Sequence, residues 1–199
     1  MTKPLLILDL DETVVHTREE RLGHPPDFTV GAYFVYTRPH LGGFLAACAN
    51  WYDLAVWSSA EEWYVDQIVT KIMPHGATPV FVWGRERCTP RMDPYTMDWY
   101  FLKNAKKVKR RGFDLRRVLI LEDEPRKVRC NYGNAIYVDP FRGNPYDGEL
   151  RLLGDYLGTI HTVTNFRRLE KRFWRSQQLV RCAAARQLCT FVTSPVADE

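Results

Sequence analysis

The sequence predicts an α/β fold in which a parallel, doubly wound sheet is flanked by helices. Short apolar runs alternate with amphipathic segments along the chain, as in folds built from strand–helix–strand units. The runs Leu5–Leu8 and 118–121 are apolar on both faces, which is typical of strands covered by helices on both sides. Acidic or hydroxyl residues follow three of the runs. Because parallel strands share one carboxyl edge, we expect those residues to converge there.

The individual elements are predicted from periodicity and from turn residues. Leu41, Phe44 and Leu45 have helical spacing, and Pro39 before them favours a first helical turn. The polar segment 84–96 carries two prolines and is typical of a surface loop. In chain order we predict a hairpin over 28–36, a helix over 41–50, a strand over 53–57, a helix over 61–73, a strand over 79–83, a helix over 99–108, strands over 118–121 and 135–138, and helices over 150–157 and 166–186.

Composition indicates one domain over residues 1–199, with a core over about 4–160 and a C-terminal helical extension over about 164–190. No apolar stretch is long enough to span a bilayer, and the N-terminus lacks the pattern of a signal peptide. We therefore expect a cytoplasmic protein without a membrane partner, or a nuclear one if the source is a eukaryote. The net charge of +4 suits an anionic substrate.

The cysteines argue against two kinds of site. They are odd in number and scattered, and they form no Cys-x-x-Cys pair, which argues against a zinc site and a disulfide framework. The five are Cys48, Cys88, Cys130, Cys182 and Cys189.

Two carboxylates one residue apart end the first apolar run. Asp9 and Asp11 directly follow Leu5–Leu8, and Thr13 lies two positions further on. Like charges this close, at the end of a buried strand, shift their pKa values or require a cation. A divalent metal, with a covalent role for one carboxylate, explains the pair most simply. The alternative is a loop that caps a following helix.

Several segments together carry a resemblance to a known family. In the family's order, and over roughly residues 4–140, the chain is similar to the haloacid dehalogenase (HAD) superfamily, and within it to the FCP/SCP-type branch of NLI-interacting-factor-like, C-terminal-domain phosphatase-like enzymes. The matching segments are 8–16, 36–39 ahead of Phe44-Leu45, 85–88, 101–104 and 114–125.

The resemblance implies a HAD-like Rossmannoid sheet with a small β-hairpin flap and no large cap domain. It also implies an aspartyl-phosphate mechanism, in which Asp9 is the nucleophile and Asp11 the acid–base. Thr13 would brace the loop. The remaining implied roles are phosphate binding by Ser58 and Lys103, a position near the substrate phosphate for Arg87, and a Mg²⁺ site made by Asp9, the Asp11 backbone carbonyl and Asp123.

Each of these roles has a structural alternative. Ser58 could cap the helix that starts near Glu61, Lys103 could be a solvated member of the basic run 103–111, and Arg87 could be an ordinary surface residue. His16 is expected to form a structural hydrogen bond rather than to act as a catalyst or ligand. Four aromatic residues near the site are expected in the core more often than on a surface patch: Trp83, Tyr95, Trp99 and Tyr100.

The fourth motif departs from the pattern of the branch. Asp-Asp or Asp-Asn is usual there, whereas this chain has Glu122-Asp123. The extra methylene of Glu122 displaces its carboxylate and changes the surroundings of a bound Mg²⁺. Activity is still expected, because the direct ligand Asp123 is kept.

The function predicted is a Mg²⁺-dependent phosphomonoesterase acting on a phosphorylated macromolecule. The short insertion after the second motif leaves the site open, which favours phosphoserine or phosphothreonine in a protein. A phosphatase of nucleic-acid ends or nucleotides is the alternative, and a catalytically silent binding module is a third hypothesis. The nucleic-acid hypothesis depends on a basic run that is interleaved with apolar residues, which favours an amphipathic packing helix: Arg167, Arg168, Lys171, Arg172 and Arg175.

Overall fold

The computed structural model describes residues 2–180. Its strands are β1 (Leu5–Leu8), β2 (Val15–Arg18), β3 (Phe28–Val30), β4 (Tyr33–Thr37), β5 (Asp53–Trp57), β6 (Val82–Trp83), β7 (Thr89–Met92), β8 (Trp99–Leu102), β9 (Val118–Glu122) and β10 (Ala135–Tyr137). The helices are α1 (Leu41–Trp51), α2 (Glu62–Ile72), α3 (Lys106–Arg110) and α4 (Glu149–Ile160). Residues 174–180 are also helical.

The predicted parallel sheet is confirmed. Five strands pair in the order β10-β9-β1-β5-β6, and every pairing is parallel. Leu8, the last residue of β1, lies between Val56 of β5 and Leu121 of β9. The residues that follow these three strands therefore lie at one edge of the sheet.

Both faces of the sheet are covered, which explains why β1 has no polar residue. Leu6 and Leu8 belong to one apolar cluster, which contains the buried apolar side chains of α1, α2 and α4. Leu5 and Ile7 face the other cluster, to which α3 contributes Val108. Alternate side chains of a strand point to opposite faces, so a strand between two cores must be apolar throughout.

The predicted hairpin over 28–36 is present as β3 and β4. It extends to an antiparallel three-stranded sheet, since β4 also pairs with β2. β2 starts a few residues after Asp11, so this small sheet lies beside the carboxyl edge of β1. The insertion after β6 forms only a two-stranded hairpin of β7 and β8.

The prediction of a helix over 99–108 was wrong. The run 99–102 forms strand β8, which pairs with β7, and the helix α3 starts only at Lys106. Aromatic residues favour strands, and the Asp93-Pro94 turn brings a pairing partner that the periodicity of one segment cannot show. Lys103 consequently lies in the connection between β8 and α3.

The prediction of one helix over 166–186 was also wrong for its described part. Residues Phe166–Arg168 form a single 3₁₀ turn, in which the Asn165 side chain accepts a hydrogen bond from the Arg167 amide. Residues 169–171 are not helical, and the buried ammonium of Lys171 donates to three backbone carbonyls there. Residues 181–186 lie outside the described part of the chain.

The C-terminal segment is attached to the body by ionic and apolar contacts. Trp174 is buried and its indole donates to the Tyr137 carbonyl, while Arg175 pairs with Glu149 at the start of α4. Within residues 2–180, no helix combines the length and apolar character needed to cross a bilayer.

Candidate active site

A tight turn after β1 holds the two aspartates of the first motif. The Leu10 carbonyl accepts hydrogen bonds from the amides of residues 13, 14 and 15, and Glu12 adopts a left-handed conformation with φ of 59°. Such a conformation is strained for a residue other than glycine and is typical of functional sites. The amide of Asp9 donates to the Leu121 carbonyl, which fixes this turn against the end of β9.

Lys103 joins the first and fourth motifs. Its Nζ lies 2.7 Å from Oδ1 of Asp9 and 2.7 Å from Oε2 of Glu122, and all three residues are buried. Burial alone would lower the pKa of Lys103, but the two carboxylates outweigh burial and raise it. The residue is therefore a permanent cation against Asp9. It is no solvated member of a basic run.

Asp9 is held in an environment that disfavours its charge. Burial, followed by the neighbouring charge of Glu122, raises the pKa of Asp9 to about 6, and Lys103 and Lys127 act in the opposite direction. Its Oδ2 is buried and forms no hydrogen bond with the described residues. A buried carboxylate oxygen without a partner is costly, so this atom is suited to contact a cation or to react.

Three carboxylates fit a divalent metal. Asp9, Glu122 and Asp123 offer oxygens that all lie within 4.8 Å of one another. Oxygen donors alone are the ligands that Mg²⁺ prefers, and the free Oδ2 of Asp9 adds to the fit. The structure thus brings together the predicted ligands Asp9 and Asp123 and adds the carboxylate of Glu122. The predicted backbone ligand, the Asp11 carbonyl, stays a prediction.

A second lysine lies among the same carboxylates. Nζ of Lys127 is 3.9 Å from Oδ2 of Asp9, 3.7 Å from Oε1 of Glu122 and 3.9 Å from Oδ1 of Asp123. Its backbone carbonyl accepts a 2.7 Å hydrogen bond from the Lys103 amide. Lys127 was not predicted from the sequence; its spacing of four residues from Asp123 was the available signal.

Asp11 points its side chain into a different environment. Oδ1 of Asp11 accepts a 2.6 Å hydrogen bond from the Tyr64 phenol, which also lies 2.6 Å from Oγ1 of Thr17. Burial raises the pKa of Asp11, and the Tyr64 hydrogen bond opposes this rise. Asp11 and Tyr64 line a cavity of about 370 Å³ with the half-exposed Trp63. A carboxyl group here can exchange a proton with a ligand in the cavity.

Ser58 and Thr13 are both buried at the edge of the site. Ser58 follows β5, its amide donates to the Trp83 carbonyl, and its hydroxyl accepts from the Ala60 amide. The cap of α2 is Glu61, so Ser58 shapes the turn before the helix rather than capping it. Oγ1 of Thr13 donates to Oδ1 of Asp123 at 3.5 Å, so Thr13 contacts the fourth motif.

Arg38 is a further supporting residue, for which the resemblance of the segment 36–39 implied no role. Its guanidinium donates to the Thr13 carbonyl at 3.0 Å and forms a bidentate pair with Asp147 at 2.9 and 2.8 Å. Although burial acts to raise the pKa of Asp147, the hydrogen bonds from Arg38 and the Glu149 amide lower it overall. This pair fixes the turn after β1 against the segment before α4.

The structure places Arg87 apart from the aspartates. Arg87 is exposed and its guanidinium lies 5.8 Å from the ring centroid of Trp83. Arg85 instead lines the same cavity as Asp11, where its Nε donates to the Ser59 carbonyl at 2.9 Å. The role predicted for Arg87 stays a prediction, and the arginines that line this cavity are Arg18 and Arg85.

The remaining expectations have mixed outcomes. His16 is buried with Nδ1 2.9 Å from Oε1 of Glu12, so it forms the structural hydrogen bond expected of it. Of the four aromatic residues near the site, Trp83 and Tyr100 are buried, whereas Tyr95 and Trp99 are exposed. The expectation that these residues lie in the core is therefore confirmed for Trp83 and Tyr100 and wrong for Tyr95 and Trp99.

Comparisons with known proteins agree with this geometry. The sequence profile of the NLI interacting factor-like phosphatase family matches residues 4–167. The chain belongs to this family. The prediction that it is a phosphatase is thereby confirmed, which argues against the hypothesis of a silent binding module.

Similar relatives carry nuclear envelope names. The CTD nuclear envelope phosphatase 1 homolog of Drosophila melanogaster is 29% identical over 182 residues, which cover 84% of this chain and 71% of the relative. CTD nuclear envelope phosphatase 1 of Xenopus laevis is 27% identical and covers 85% of this chain and 72% of its own. Nuclear envelope morphology protein 1 of Saccharomyces cerevisiae is 25% identical, with 84% of this chain and 41% of the relative covered.

Solved structures show the same fold. Fcp1, an essential RNA polymerase II CTD phosphatase, superposes with a TM-score of 0.54 at 18% identity. The match covers 98% of this chain and 55% of Fcp1, so this chain spans about half the length of that protein. A protein from Listeria monocytogenes serotype 4b superposes with a TM-score of 0.53 at 13% identity. The predicted HAD-like fold class is confirmed.

Proposed function

We propose that the chain is a Mg²⁺-dependent phosphomonoesterase that removes phosphate from phosphoserine or phosphothreonine in proteins through an aspartyl-phosphate at Asp9. The observation that carries the proposal is the buried Asp9 itself. One of its oxygens accepts from Lys103 at 2.7 Å, the other lacks a hydrogen-bond partner, and two further carboxylates lie within reach of a shared cation.

In the first step, a carboxylate oxygen of Asp9 attacks the phosphorus of the substrate. The bond from phosphorus to the seryl or threonyl oxygen breaks, and the protonated carboxyl of Asp11 gives its proton to that oxygen. Lys103 holds Asp9 in place and balances the negative charge that the phosphoryl group brings into a buried site. The Ser58 hydroxyl would donate to a phosphoryl oxygen.

In the second step, the Asp11 carboxylate takes a proton from water, and the resulting hydroxide attacks phosphorus. The bond to Asp9 breaks, which releases inorganic phosphate and restores both carboxyl groups. The hydrogen bond from Tyr64 supports the carboxylate form of Asp11 that this step needs.

Asp9, Glu122 and Asp123 are the side chains that would hold Mg²⁺. When bound, the ion supplies positive charge that offsets repulsion between the Asp9 carboxylate and the phosphate dianion. Thr13, through Asp123, and Lys103, through Glu122, orient two of these ligands.

The substrate class follows from the openness of the site and from the relatives. The insertion after β6 forms a hairpin rather than a lid over the aspartates, so a phosphate on a large molecule can reach them. Fcp1 is named as a phosphatase of the RNA polymerase II CTD, a protein segment, which supports a phosphoprotein substrate. The cytoplasmic location stays a prediction, and the names of the relatives favour the nuclear alternative.

The nucleic-acid alternative has less support. Of the C-terminal cations on which it depends, Lys171 is buried, Arg172 pairs with Glu170 and Arg175 pairs with Glu149. Lys171 and Arg175 are therefore engaged within the protein, and the exposed Arg172 already has a carboxylate beside it, which weakens the case for a phosphate-backbone surface.

The test compares turnover of phosphoserine peptides, nucleotides and 3′- or 5′-phosphorylated oligonucleotides with and without Mg²⁺. We expect the enzyme to turn over the peptides only when Mg²⁺ is present. The variant Asp9→Asn should fold normally and lose all turnover. Borohydride reduction of the phosphoenzyme, followed by peptide mass spectrometry, should convert Asp9 to homoserine. Faster turnover of oligonucleotides would overturn the substrate class, and near-normal activity of Asp9→Asn would overturn the mechanism.

A further inference from the structure

We propose that a basic cavity beside β6 is a second anion site. It would take a phosphate group carried by the substrate chain about three residues from the one that is removed. This inference rests on the proposed function, because it concerns the substrate of that site. The cavity, of about 400 Å³, is lined by Trp83, Glu86, Arg87, Lys107, Arg110 and Arg111.

The four cations of this cavity have no carboxylate partner. Within residues 2–180, neither Arg87 nor Lys107 lies within 4.0 Å of a carboxylate oxygen, and the same holds for Arg110 and Arg111. Four positive charges against the single carboxylate of Glu86 give this concave surface a net positive potential, which attracts and retains multivalent anions. A phosphate monoester is the anion with the charge and the acceptor oxygens to use several of them.

Contacts that do not neutralise the cations hold three of them in place. The guanidinium groups of Arg87 and Arg111 lie 5.8 and 5.9 Å from the ring centroid of Trp83, and Arg111 also donates to the Val80 carbonyl. Nζ of Lys107 donates to the carbonyl of Arg87 at 2.8 Å. Side chains positioned in this way lose little freedom when an anion binds.

The topology gives the distance between the aspartates and the Trp83 side of this cavity. Trp83 pairs with Trp57, the residue before Ser58, and β6 is separated from β1 by β5 alone. Neighbouring strands are about 4.8 Å apart, so the ends of β1 and β6 are roughly 10 Å apart. An extended peptide advances about 3.3 Å per residue, so about three residues span this distance.

The experiment uses three peptides of one sequence. The first carries a single phosphoserine, the second a further phosphoserine three residues away, and the third a further phosphoserine directly adjacent. We measure kcat/KM for removal of the common phosphate, and we measure the Kd of labelled peptides on the Asp9→Asn protein by fluorescence anisotropy. The second peptide should be preferred over the first by about tenfold in both measurements, since two charge-assisted contacts are added at a partly exposed site.

Matched variants distinguish binding of the second phosphate in this cavity from a general effect of positive charge on the protein surface. The double variant Arg110→Gln/Arg111→Gln should reduce the preference to near one, whereas Lys106→Gln/Lys109→Gln removes two charges from the same helix outside the cavity and should keep it. Arg87→Gln, at the other side of the cavity, provides an independent second variant if the first one proves unstable.

Three results would overturn the anion site: equal Kd values for the first and second peptides, an equal gain from the adjacent phosphate, or an equal loss in the two double variants. Absence of turnover with a preserved binding preference would instead refute the proposed function and leave the anion site standing. The two proposals therefore fail in different measurements.

Discussion

The phenol of Tyr64 donates a 2.6 Å hydrogen bond to Oδ1 of Asp11. Tyr64 is itself buried and is held from the other side by Thr17, 2.6 Å away. Tyr64 lies on α2 and Thr17 on β2 of the small antiparallel sheet. These two elements together fix the orientation of Asp11, the proposed acid–base group. Tyr64 acts through Asp11 and is a positioning residue.

Replacement of Tyr64 by Phe should reduce catalysis in a way that depends on the leaving group. The ring stays in place, but Asp11 loses the group that orients it. We expect kcat/KM to fall about tenfold for a phosphoserine peptide, whose alkoxide needs the proton, and clearly less for p-nitrophenyl phosphate. Thr17→Val, which keeps the bond from Tyr64 to Asp11, should have the smaller effect. Equal losses on both substrates would contradict the role.

The parallel sheet and the meeting of two carboxylates were predictable from sequence for a single physical reason. Fully apolar strands indicate a sheet with both faces covered, and such sheets have one carboxyl edge. The pairing of Leu8 with Leu121 places Asp9 and Asp123, each just beyond the end of its strand, at that edge. Neither step requires knowledge of side-chain packing.

The supporting residues were not predictable in the same way. Lys103 was predicted inside a helix that in fact starts only at Lys106, because the pairing of β8 with β7 is not visible in the periodicity of either segment. Tyr64 and Arg38 approach the motif turn from segments distant in sequence, and their roles exist only after folding. The candidate role of Lys103 came from the resemblance to the family, because the local sequence pattern around it predicted only a helix.

Replacement of Lys103 by Met should destabilise the folded protein strongly. Asp9 and Glu122 would remain buried without the cation that now lies 2.7 Å from both. Loss of one partner from a buried ionic group costs about 3–5 kcal/mol. The free energy of unfolding in urea at pH 8, with a chelator present, measures this cost. Lys106→Met, in the exposed part of the same basic run, is the control and should change little.

Because the pKa of Lys103 is raised, its contribution is complete below its ordinary range and is lost only at pH values above the raised pKa. The loss of stability in Lys103→Met should therefore be largest between pH 8 and pH 9 and should shrink as the pH falls toward 6, because protonation of Asp9, whose pKa is about 6, weakens its ion pair with Lys103. A loss that grows as the pH falls from 8 to 6 would contradict this account.

Replacement of Lys127 by Met should strengthen Mg²⁺ binding. The ammonium of Lys127 lies within 3.9 Å of all three carboxylates of the candidate metal cluster, so it competes electrostatically with a divalent cation there. Even at the dielectric constant of bulk water, two unit charges about 4 Å apart interact by about 1 kcal/mol, so removal of this charge should lower the Kd for Mg²⁺ by at least about fivefold. Isothermal titration without substrate measures the Kd, with Lys106→Met as the control. An unchanged or higher Kd would contradict the prediction.

Replacement of Asp9 by Asn should stabilise the metal-free protein at alkaline pH. The pKa of Asp9 rises from 3.8 to about 6 on folding, so above pH 6 the folded state contains a carboxylate that it disfavours. The difference corresponds to about 3 kcal/mol, an upper bound on what the neutral amide should recover at pH 8. Asp155→Asn, an exposed change on α4, should show no such gain.

The sign of the Asp9→Asn effect should depend on pH and on metal. As the pH falls through 6, the wild-type carboxyl takes up a proton and its disadvantage disappears, so the two unfolding free energies should converge near pH 4. At pH 8, saturating Mg²⁺ should stabilise the wild type more than the variant, because only the wild type keeps all three carboxylates. Unfolding curves at pH 4, 6 and 8, with and without Mg²⁺, test both statements. If the variant is less stable than the wild type at pH 8 without metal, Asp9 is not a carboxylate whose charge the folded state disfavours.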